Sequence, residues 1–346
     1  MTVGNERAMG TAVLAEVRRR RPLIHCITNY VTAGDVANLL LAAGASPVMA
    51  EGLREVGDIA AVSQGLVLNL GTLKEQTVDA MLLAGTRTAA LGHPVVLDPV
   101  GAGSIAFRRE TAWKILGQVP CALIRGNASE IRALAELAGS GAWEVSGAGE
   151  ASGTRGVSGA GEVSGAGEVS ETGEIAGIGA ASGAGPDCLV HRRGGGVDAD
   201  GRDAVTEENE SRTLALMQAL SRRMKAAVLM TGQADLLVDG DRACRIENGT
   251  PMLGRITGSG CMMDGFLAAC LAGSGVGTDR FSVLAWGAAA FGVCGELAEE
   301  RCRETGGGTG SFRMYLMDAM SFLTDSQAAR RARIRELDLI GAGKRG

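Results

Sequence analysis

The segment Arg255-Ile-Thr-Gly-Ser-Gly-Cys-Met-Met-Asp-Gly-Phe-Leu-Ala-Ala269 joins a glycine turn directly to an apolar helix. Glycines at 258 and 260 allow the backbone to approach a ligand closely. The first amides of a helix have no partner within the helix, and the helix dipole favours negative charge at that end. The segment therefore predicts an anion site, and phosphate is the ligand that best suits it.

Cys261 lies in the first turn of this predicted helix. A helix N-terminus lowers the pKa of a thiol, so the position favours a thiolate. The alternative is a plain loop-to-helix junction in which Cys261 is only a small buried apolar residue. The motif alone fits both interpretations.

The composition favours layers of helices on a parallel sheet. The 346 residues are 46% hydrophobic but only 3% aromatic, and 53 of them are glycine, so the core is built from aliphatic side chains. The net charge of -5 offers no basic face for nucleic acid. We interpret the arginine run at residues 18–21 as the solvated end of a first helix, and we expect no nucleic-acid partner.

The cysteine pattern and the N-terminus predict a reducing compartment. No two of the eight cysteines are separated by two residues, as a zinc or redox pair requires, so we expect reduced thiols. The N-terminal residues include charges and no apolar stretch of signal-peptide length. No uninterrupted apolar run reaches about 18 residues, the length that a membrane span needs. We therefore expect a cytoplasmic protein without membrane contact.

Short apolar strands alternate with helices along most of the chain. The predicted strands are residues 23–28, 45–50, 66–70, 94–98, 121–124 and 227–230, followed by a hairpin of 235–240 with 243–246. The predicted helices are residues 32–43, 76–90, one from about 129, 213–225, one after residue 258, 280–302 and 314–333. The alternation predicts an α/β fold with a mostly parallel central sheet and helices on both faces. Residues 334–346 are predicted to be a frayed C-terminal tail that follows the last helix.

Residues 139–195 interrupt this alternation with a repeat of Val-Ser-Gly-Ala-Gly-Glu at six-residue spacing. A hexad can build a left-handed β-helix, but about six copies give only about two coils and lack large aliphatic residues. We therefore favour a disordered insertion rich in Gly, Ser and Glu. The remaining ranges, 1–138 and 196–333, then form one discontinuous domain.

Polar residues follow or end several of the predicted strands. Asn69, Asp98, Arg125 and Thr231 each do so, at the sheet edge where ligands gather in open α/β folds. Two separated carboxylates, Asp98 and Glu130, suit Mg²⁺ bound together with phosphate oxygens. An arginine there supplies the fixed cation that balances a transferring group, so the set predicts phosphoryl transfer.

Five motifs together resemble the hydroxyethylthiazole kinase family of the ribokinase-like superfamily. They are HCITNYVTAGDVANLLLAAGASPVMAE at 25–51, VLNLGTL at 67–73, VVLDPVGAG at 95–103, IRGNASEI at 124–131 and TGSGCMMDGFLA at 257–268. The resemblance covers roughly residues 10–138 and 196–325. It implies a ribokinase-like fold and ATP-dependent phosphorylation of the hydroxyl of 4-methyl-5-(2-hydroxyethyl)thiazole, a step toward thiamine.

The resemblance also implies roles for single residues. By position, Met49 and Gly258 contact the thiazole alcohol, Arg125 and Thr231 contact ATP, and the two carboxylates serve Mg²⁺. Cys261 is the implied catalytic residue, at a place where other kinases of the superfamily carry an Asp as general base. The family forms homotrimers with active sites at subunit interfaces, so the resemblance implies the same assembly here.

Two alternatives remain open. A related vitamin kinase acting on hydroxymethylpyrimidine shares the sheet, the ATP site and the LDPVGAG motif, although Cys261 and the Asn29-Tyr30 pair argue against it. A non-catalytic sensor of thiazole or nucleotide keeps the same pocket, although the intact polar set argues for catalysis. Consumption of ATP on addition of the thiazole alcohol separates them.

Overall fold

The computed structural model describes residues 12–139, 207–275 and 277–339, and these residues belong to one compact unit. The strands in chain order are β1 (Leu23–Ile27), β2 (Ser46–Met49), β3 (Gly65–Asn69), β4 (Val95–Asp98), β5 (Leu123–Asn127), β6 (Ala227–Thr231), β7 (Asp235–Asp239), β8 (Arg242–Ile246) and β9 (Ile334–Leu337). They form one sheet in the order β2-β1-β3-β4-β5-β6-β7-β8-β9. The first six strands in this order pair in parallel and the last three add antiparallel, which confirms the mostly parallel sheet.

Helices cover both faces of the sheet. In chain order they are α1 (Val13–Arg20), α2 (Ala33–Ala43), α3 (Val56–Val62), α4 (Glu75–Ala90), α5 (Ala106–Gln118), α6 (Ala128–Gly139), α7 (Glu207–Met224), α8 (Ser259–Ser274), α9 (Arg280–Thr305), α10 (Thr309–Phe322) and α11 (Asp325–Arg331), with a 3₁₀ turn at Pro251–Arg255. One core packs α1, α2, α8, α9 and α10 on the sheet, and the other packs α4 to α7. The predicted covering of both faces is therefore confirmed.

The central strands show why the sheet is parallel. Every residue of β3 is buried, and its side chains alternate between the two cores, with Val67 on one side and Leu66 and Leu68 on the other. A strand that is covered on both faces needs apolar side chains in both directions. The continuous apolar runs in the sequence are therefore explained by burial of the strands on both faces of the sheet.

The predicted C-terminal tail is wrong for its first residues. Residues 334–337 form β9, which pairs antiparallel with β8 through Ile246 and Ile334. Ile334 and Leu337 are half-buried while the two residues between them are exposed, so backbone pairing rather than a long apolar run orders this strand. The sheet therefore ends in a strand and not in helices, and residues 340–346 lie outside the described range.

Two further differences change the map of elements. The helix predicted at 314–333 is split, because Thr324 caps a new helix: its hydroxyl accepts from the Gln327 N–H while the Gln327 side chain accepts from the Thr324 N–H. Helices α3 and α5 were not predicted. Strand β5 extends to Asn127, so Arg125 lies within the strand rather than after it. The hexad repeat lies outside the described residues.

Within the described ranges, α9 is the single helix long and apolar enough to cross a membrane by length and composition. Of its most apolar window, 83% is buried inside the protein. A helix covered in this way is part of the core. The seven cysteines that the structure describes are all free thiols, in agreement with the expectation for them, and Cys188 lies outside these ranges.

Candidate active site

The glycine turn before α8 forms as the sequence predicts. Gly258 caps the helix with a φ of +84°, and a Cβ there would lie 2.5 Å from Cγ2 of Thr32. Both the backbone angle and the space therefore require glycine. The Met262 N–H donates to the Gly258 carbonyl at 2.8 Å, which leaves the amides of residues 259–261 at the open end of the helix. An anion at this end meets several donors and the positive end of the dipole.

Arg125 lies against the first turn of α8. Its Nη2 donates to Oγ1 of Thr231 at 2.9 Å, and its Nη1 lies 3.6 Å from Oδ2 of Asp98. A Cβ at Gly260 would lie only 2.4 Å from Nη1, so the second glycine of the motif makes room for the guanidinium. With 14% of its side chain exposed, Arg125 is a nearly buried cation aimed at the predicted phosphate site.

Asp98 has one engaged oxygen and one open oxygen. Its Oδ2 accepts a hydrogen bond from Nδ2 of Asn69 at 2.7 Å. Its Oδ1 is buried and accepts no hydrogen bond from a donor group of the described chain, and the carboxyl group of Asp264 lies within hydrogen-bonding reach of Asp98. Burial, and then the neighbouring carboxylate of Asp264, hold the pKa of Asp98 well above its usual range, while Arg125 acts in the opposite direction. An open, buried carboxylate oxygen beside an anion site is an arrangement that a cation completes.

Glu130 joins two backbone segments through hydrogen bonds. Its two carboxylate oxygens accept the backbone N–H groups of Gly101 and Asn127, each at 2.8 Å. Burial, and then repulsion from Asp98, raise the pKa of Glu130 to about 7 despite these two donors. Each oxygen keeps a second lone pair, so Glu130 can bind a hydrated cation through water while it holds the loops.

These carboxylates fit Mg²⁺ only in company with phosphate. Among the residues that the structure describes, no three His, Cys, Asp or Glu side chains are grouped so that they hold a metal by themselves. Mg²⁺ usually keeps several waters and takes one or two carboxylates together with substrate phosphates. The open Oδ1 of Asp98 satisfies that requirement.

The thiol of Cys261 differs from the sequence expectation. Amide groups of Asn29 and Asn69 lie 3.2 Å and 3.4 Å from its Sγ. Burial, and then the charges of Asp98 and Asp264, raise the pKa of Cys261 to about 11. The predicted thiolate is therefore wrong: desolvation and two nearby carboxylates outweigh the helix dipole. At neutral pH this side chain is a neutral thiol.

The structure brings most of the predicted residues to one place. Asp98, Arg125, Glu130, Thr231, Gly258 and Cys261 lie around the carboxyl ends of β3 to β6 and the start of α8. Met49 ends β2, the outermost strand on its side, where it is half-buried beside Cys26 of β1. It thus shares the sheet edge but lies at the margin of the cluster.

Sequence reasoning missed Asp264 and the full part played by Asn29. Asp264 is completely buried, and its Oδ1 lies 3.8 Å from Nε of Arg125. Asn29 accepts from the hydroxyl and the N–H of Thr32 while its amide reaches Cys261. A signal for Asp264 was present, because a residue three positions after Cys261 shares its helix face.

Comparison with known proteins identifies relatives along almost the whole chain. The profile of the HK: Hydroxyethylthiazole kinase family matches residues 14–155 and 189–326. A hydroxyethylthiazole kinase of Desulfovibrio desulfuricans is 37% identical over 334 residues, which is 94% of this chain and 98% of the relative. One from Desulforudis audaxviator is 36% identical and covers 97% of this chain and 99% of the relative. The structure of the hydroxyethylthiazole kinase protein from Pyrococcus horikoshii OT3 is 27% identical, with a TM-score of 0.70 over 96% of this chain and 100% of that protein.

Proposed function

The chain belongs to the hydroxyethylthiazole kinase family, and from that membership we propose that it phosphorylates the hydroxyl of 4-methyl-5-(2-hydroxyethyl)thiazole with ATP. This reaction is a step of thiamine biosynthesis or salvage. The observation that carries the proposal is the convergence of three features: the Arg125 guanidinium, the open end of α8 and the free Oδ1 of Asp98. Each of them suits a different part of a triphosphate.

Arg125 and the helix end bind the group that is transferred. The transition state of phosphoryl transfer spreads negative charge over the equatorial oxygens, and fixed donors stabilise that charge without reorganising. Thr231 holds one edge of the guanidinium, so Arg125 is positioned before the nucleotide binds. The amides of residues 259–261 supply the neutral donors on the other side of the same oxygens.

Asp98 and Glu130 hold Mg²⁺ in this proposal. When bound, Mg²⁺ neutralises phosphate charge and orients the transferring group. Asp98 contributes its free Oδ1, because Asn69 already occupies the other oxygen. Glu130 acts through water, since both of its oxygens hold backbone amides.

Cys261 positions the alcohol rather than deprotonating it. With a pKa of about 11, the thiol cannot act as a strong base near neutral pH. A loose transition state requires little deprotonation of the alcohol early in the reaction, so alignment outweighs basicity. Gly258 and Met49 border the thiazole in this proposal, and a polarizable thioether packs well on a sulfur-containing ring.

We further infer a homotrimer with active sites at subunit interfaces. Large apolar side chains next to Asn29 support this, because Tyr30 is 73% exposed and Val31 is 60% exposed. Exposed apolar groups beside a site suit coverage by a second copy. Sedimentation equilibrium at micromolar concentration is expected to give three times the chain mass, and a monomer at that concentration contradicts the inference.

The domain arrangement and the cytoplasmic location complete the proposal. One kinase domain is interrupted by an insertion at residues 139–195 in this proposal. The gap of the family profile between residues 155 and 189 falls within that range and supports an insertion there, while the profile continues to residue 155. Closing a longer surface loop costs little free energy. Deletion of residues 144–185 is therefore expected to leave kcat unchanged, and a folded but inactive deletion variant contradicts that arrangement.

The activity is tested by incubating the protein with ATP, Mg²⁺ and a panel of thiazole and pyrimidine alcohols. Mass spectrometry is expected to detect the phosphate ester of the thiazole alcohol and a matching amount of ADP. Phosphorylation of hydroxymethylpyrimidine alone favours the related vitamin kinase. Binding of the thiazole alcohol without any ATP consumption favours the non-catalytic sensor.

A further inference from the structure

Asp264 is a buried acid to which the proposed reaction assigns no part. It lies on α8 with an exposed fraction of 0%, and its oxygens accept no hydrogen bond from an N–H donor of the described residues. Its polar neighbours are the guanidinium of Arg125 and the carboxyl group of Asp98, with which it shares a side-chain hydrogen bond. An ionised carboxylate buried without donors is costly, and natural proteins avoid it unless the group has a use. The position therefore calls for a functional account.

The one cation beside Asp264 among the described residues is Arg125. Oδ1 of Asp264 lies 3.8 Å from Nε of Arg125, and that Nε has no hydrogen-bond partner in the described chain. The other nitrogens face Thr231 at 2.9 Å and Asp98 at 3.6 Å. The backbone of Gly260 borders the guanidinium on a fourth side, since a Cβ at that position would lie 2.4 Å from Nη1. Its orientation depends on all four neighbours.

Charge balance explains why two carboxylates face one guanidinium. Burial lowers the pKa of Arg125, and the charges of Asp264 and Asp98 more than offset that effect, so the pKa is raised. Asp98 is the partner that a Mg²⁺–nucleotide complex draws toward itself through the free Oδ1. Asp264 is completely buried as well, and its neighbours are Arg125 and the carboxyl group of Asp98. It remains beside Arg125 when Asp98 engages the ligand.

We propose that Asp264 is a positioning residue that holds the Arg125 guanidinium against the phosphate site while Asp98 binds the metal–nucleotide complex. This rests on the kinase function proposed above. The residue touches neither substrate nor metal, and it acts by holding Arg125, next to the Asp98 carboxyl group that it also contacts. Without it, Arg125 turns toward Asp98, which then has to be freed before the nucleotide can bind.

A structural ion pair and a positioning carboxylate respond differently to neutralisation. Removing the charge of a partner in a tight pair leaves the other charge unmatched and destabilises the fold. Asp264→Asn instead removes one of two buried carboxyl groups that repel each other when both are ionised, and Asp98 still faces the arginine. We therefore expect the unliganded variant to unfold at the same temperature as wild type or higher, while its catalysis falls.

The experiment compares wild type, Asp264→Asn and Asp239→Asn as full-length proteins. Asp239 is the matched control, since it forms a bidentate pair with Arg280 at the other end of the strands, level with the amino end of β6. Three quantities are measured: the midpoint of thermal unfolding without ligand, kcat and KM with each substrate, and the affinity for β,γ-imido-ATP with Mg²⁺ by calorimetry. Wild-type turnover tests the kinase function, and the differences between variants test the role of Asp264.

For Asp264→Asn we expect kcat to fall roughly ten- to a hundredfold, because misplacement of a catalytic group by about 1 Å costs that much. The affinity for β,γ-imido-ATP is expected to fall about fivefold, the size of a modest coupling between neighbouring groups. The KM for the thiazole alcohol is expected to stay within about twofold, since no alcohol contact is lost. Asp239→Asn is expected to lower the unfolding midpoint and to leave the kinetic constants unchanged.

Action through Arg125 is tested by combining variants. In an Arg125→Lys background, adding Asp264→Asn is expected to change kcat by less than about twofold, because the guanidinium that it orients is gone. The proposal is overturned if the two effects multiply, or if Asp264→Asn melts earlier while its kcat equals that of wild type. Should Asp264→Asn fail to fold, Asp264→Ser is measured in its place, and failure of both to fold also overturns the proposal.

Discussion

Two arginine–carboxylate groups lie at opposite ends of the strands and are built differently. Arg125 lies near the carboxyl ends of β4 to β6, and Asp239 lies level with the amino end of β6. Arg280 meets Asp239 in a bidentate pair with a 2.9 Å bond from Nε, and both side chains are partly exposed. Arg125 lies deeper, faces Asp98 and Asp264 at 3.6 Å and 3.8 Å, and leaves its Nε without a partner among the described residues. The first group is complete within the chain, whereas the second is not.

The construction of each group indicates its role. A structural ion pair makes its hydrogen bonds within the chain, as each of the three guanidinium nitrogens of Arg280 does with Asp239 or the Lys225 carbonyl. Burial of charged groups that lack hydrogen-bond partners costs stability. Such an arrangement persists where a bound ligand supplies the missing partners. The Arg125 cluster is therefore the part of the fold that exchanges stability for binding.

Loss of the central cation is expected to have the largest effect. Arg125→Ala should lower kcat by about 10³-fold or more, because it removes the fixed charge that stabilises the transferring group. Steady-state kinetics with saturating ATP and Mg²⁺ measure this change. Arg280→Ala is the matched control, and it should lose stability but keep its kcat. Equal kcat losses in the two variants contradict the distinction between the Arg125 group and the Arg280 group.

Glu130 offers a pH test on the unliganded protein. Its pKa is raised from 4.5 to about 7, so the folded state binds this proton more tightly than the unfolded chain does. The stability it contributes is therefore complete below about pH 4.5 and is lost as the pH rises through about 7. Between about pH 4.5 and pH 7, wild type should lose on the order of 3 kcal/mol relative to Glu130→Gln. Urea unfolding of both proteins without Mg²⁺ measures it, and a pH-independent difference rules out a raised pKa.

The close approach of α8 to Arg125 predicts a smaller loss. A Cβ at Gly260 would lie 2.4 Å from Nη1 of Arg125, so Gly260→Ala should displace the guanidinium and lower kcat about tenfold. Gly254→Ala is the control from the same segment, because no atom lies within 4 Å of a Cβ at that position. The account is contradicted if both variants keep wild-type kcat.

The smallest effect is expected at the cysteine. Cys261→Ser should keep kcat within about tenfold of wild type, because a neutral thiol positions the alcohol and a hydroxyl can do the same. The rate should also show no rise between about pH 8 and pH 9, where an ordinary thiol begins to ionise. A loss as large as that of Arg125→Ala argues instead for an essential thiolate.

The sequence predicted the sheet and most of the cluster because both follow local rules. Buried parallel strands require continuous apolar runs, and polar side chains such as Asp98 and Thr231 follow where those runs end. The glycines at 258 and 260 predicted that another group approaches the backbone closely at this turn. Only the structure shows that the side chains of Thr32 and Arg125 are those groups.

What the sequence could not give depends on distant parts of the chain. The pKa of Cys261 reflects burial and carboxylates contributed by β4 and α8, and no local pattern reports their sum. Strand β9 forms because its backbone pairs with β8, almost 90 residues away, and its composition alone is that of a tail. In the sequence, Asp264 is an ordinary polar residue of a helix, and only the structure shows that Arg125 lies beside it.

The most direct measurement is a crystal structure with Mg²⁺, β,γ-imido-ATP and the thiazole alcohol. We expect the terminal phosphate between the Arg125 guanidinium and the amides of residues 259–261, with the cation on Oδ1 of Asp98 and Asp264 still beside Arg125. A nucleotide bound elsewhere, with the Arg125 cluster unchanged from its unliganded arrangement, contradicts the assignment of this cluster as the phosphate site.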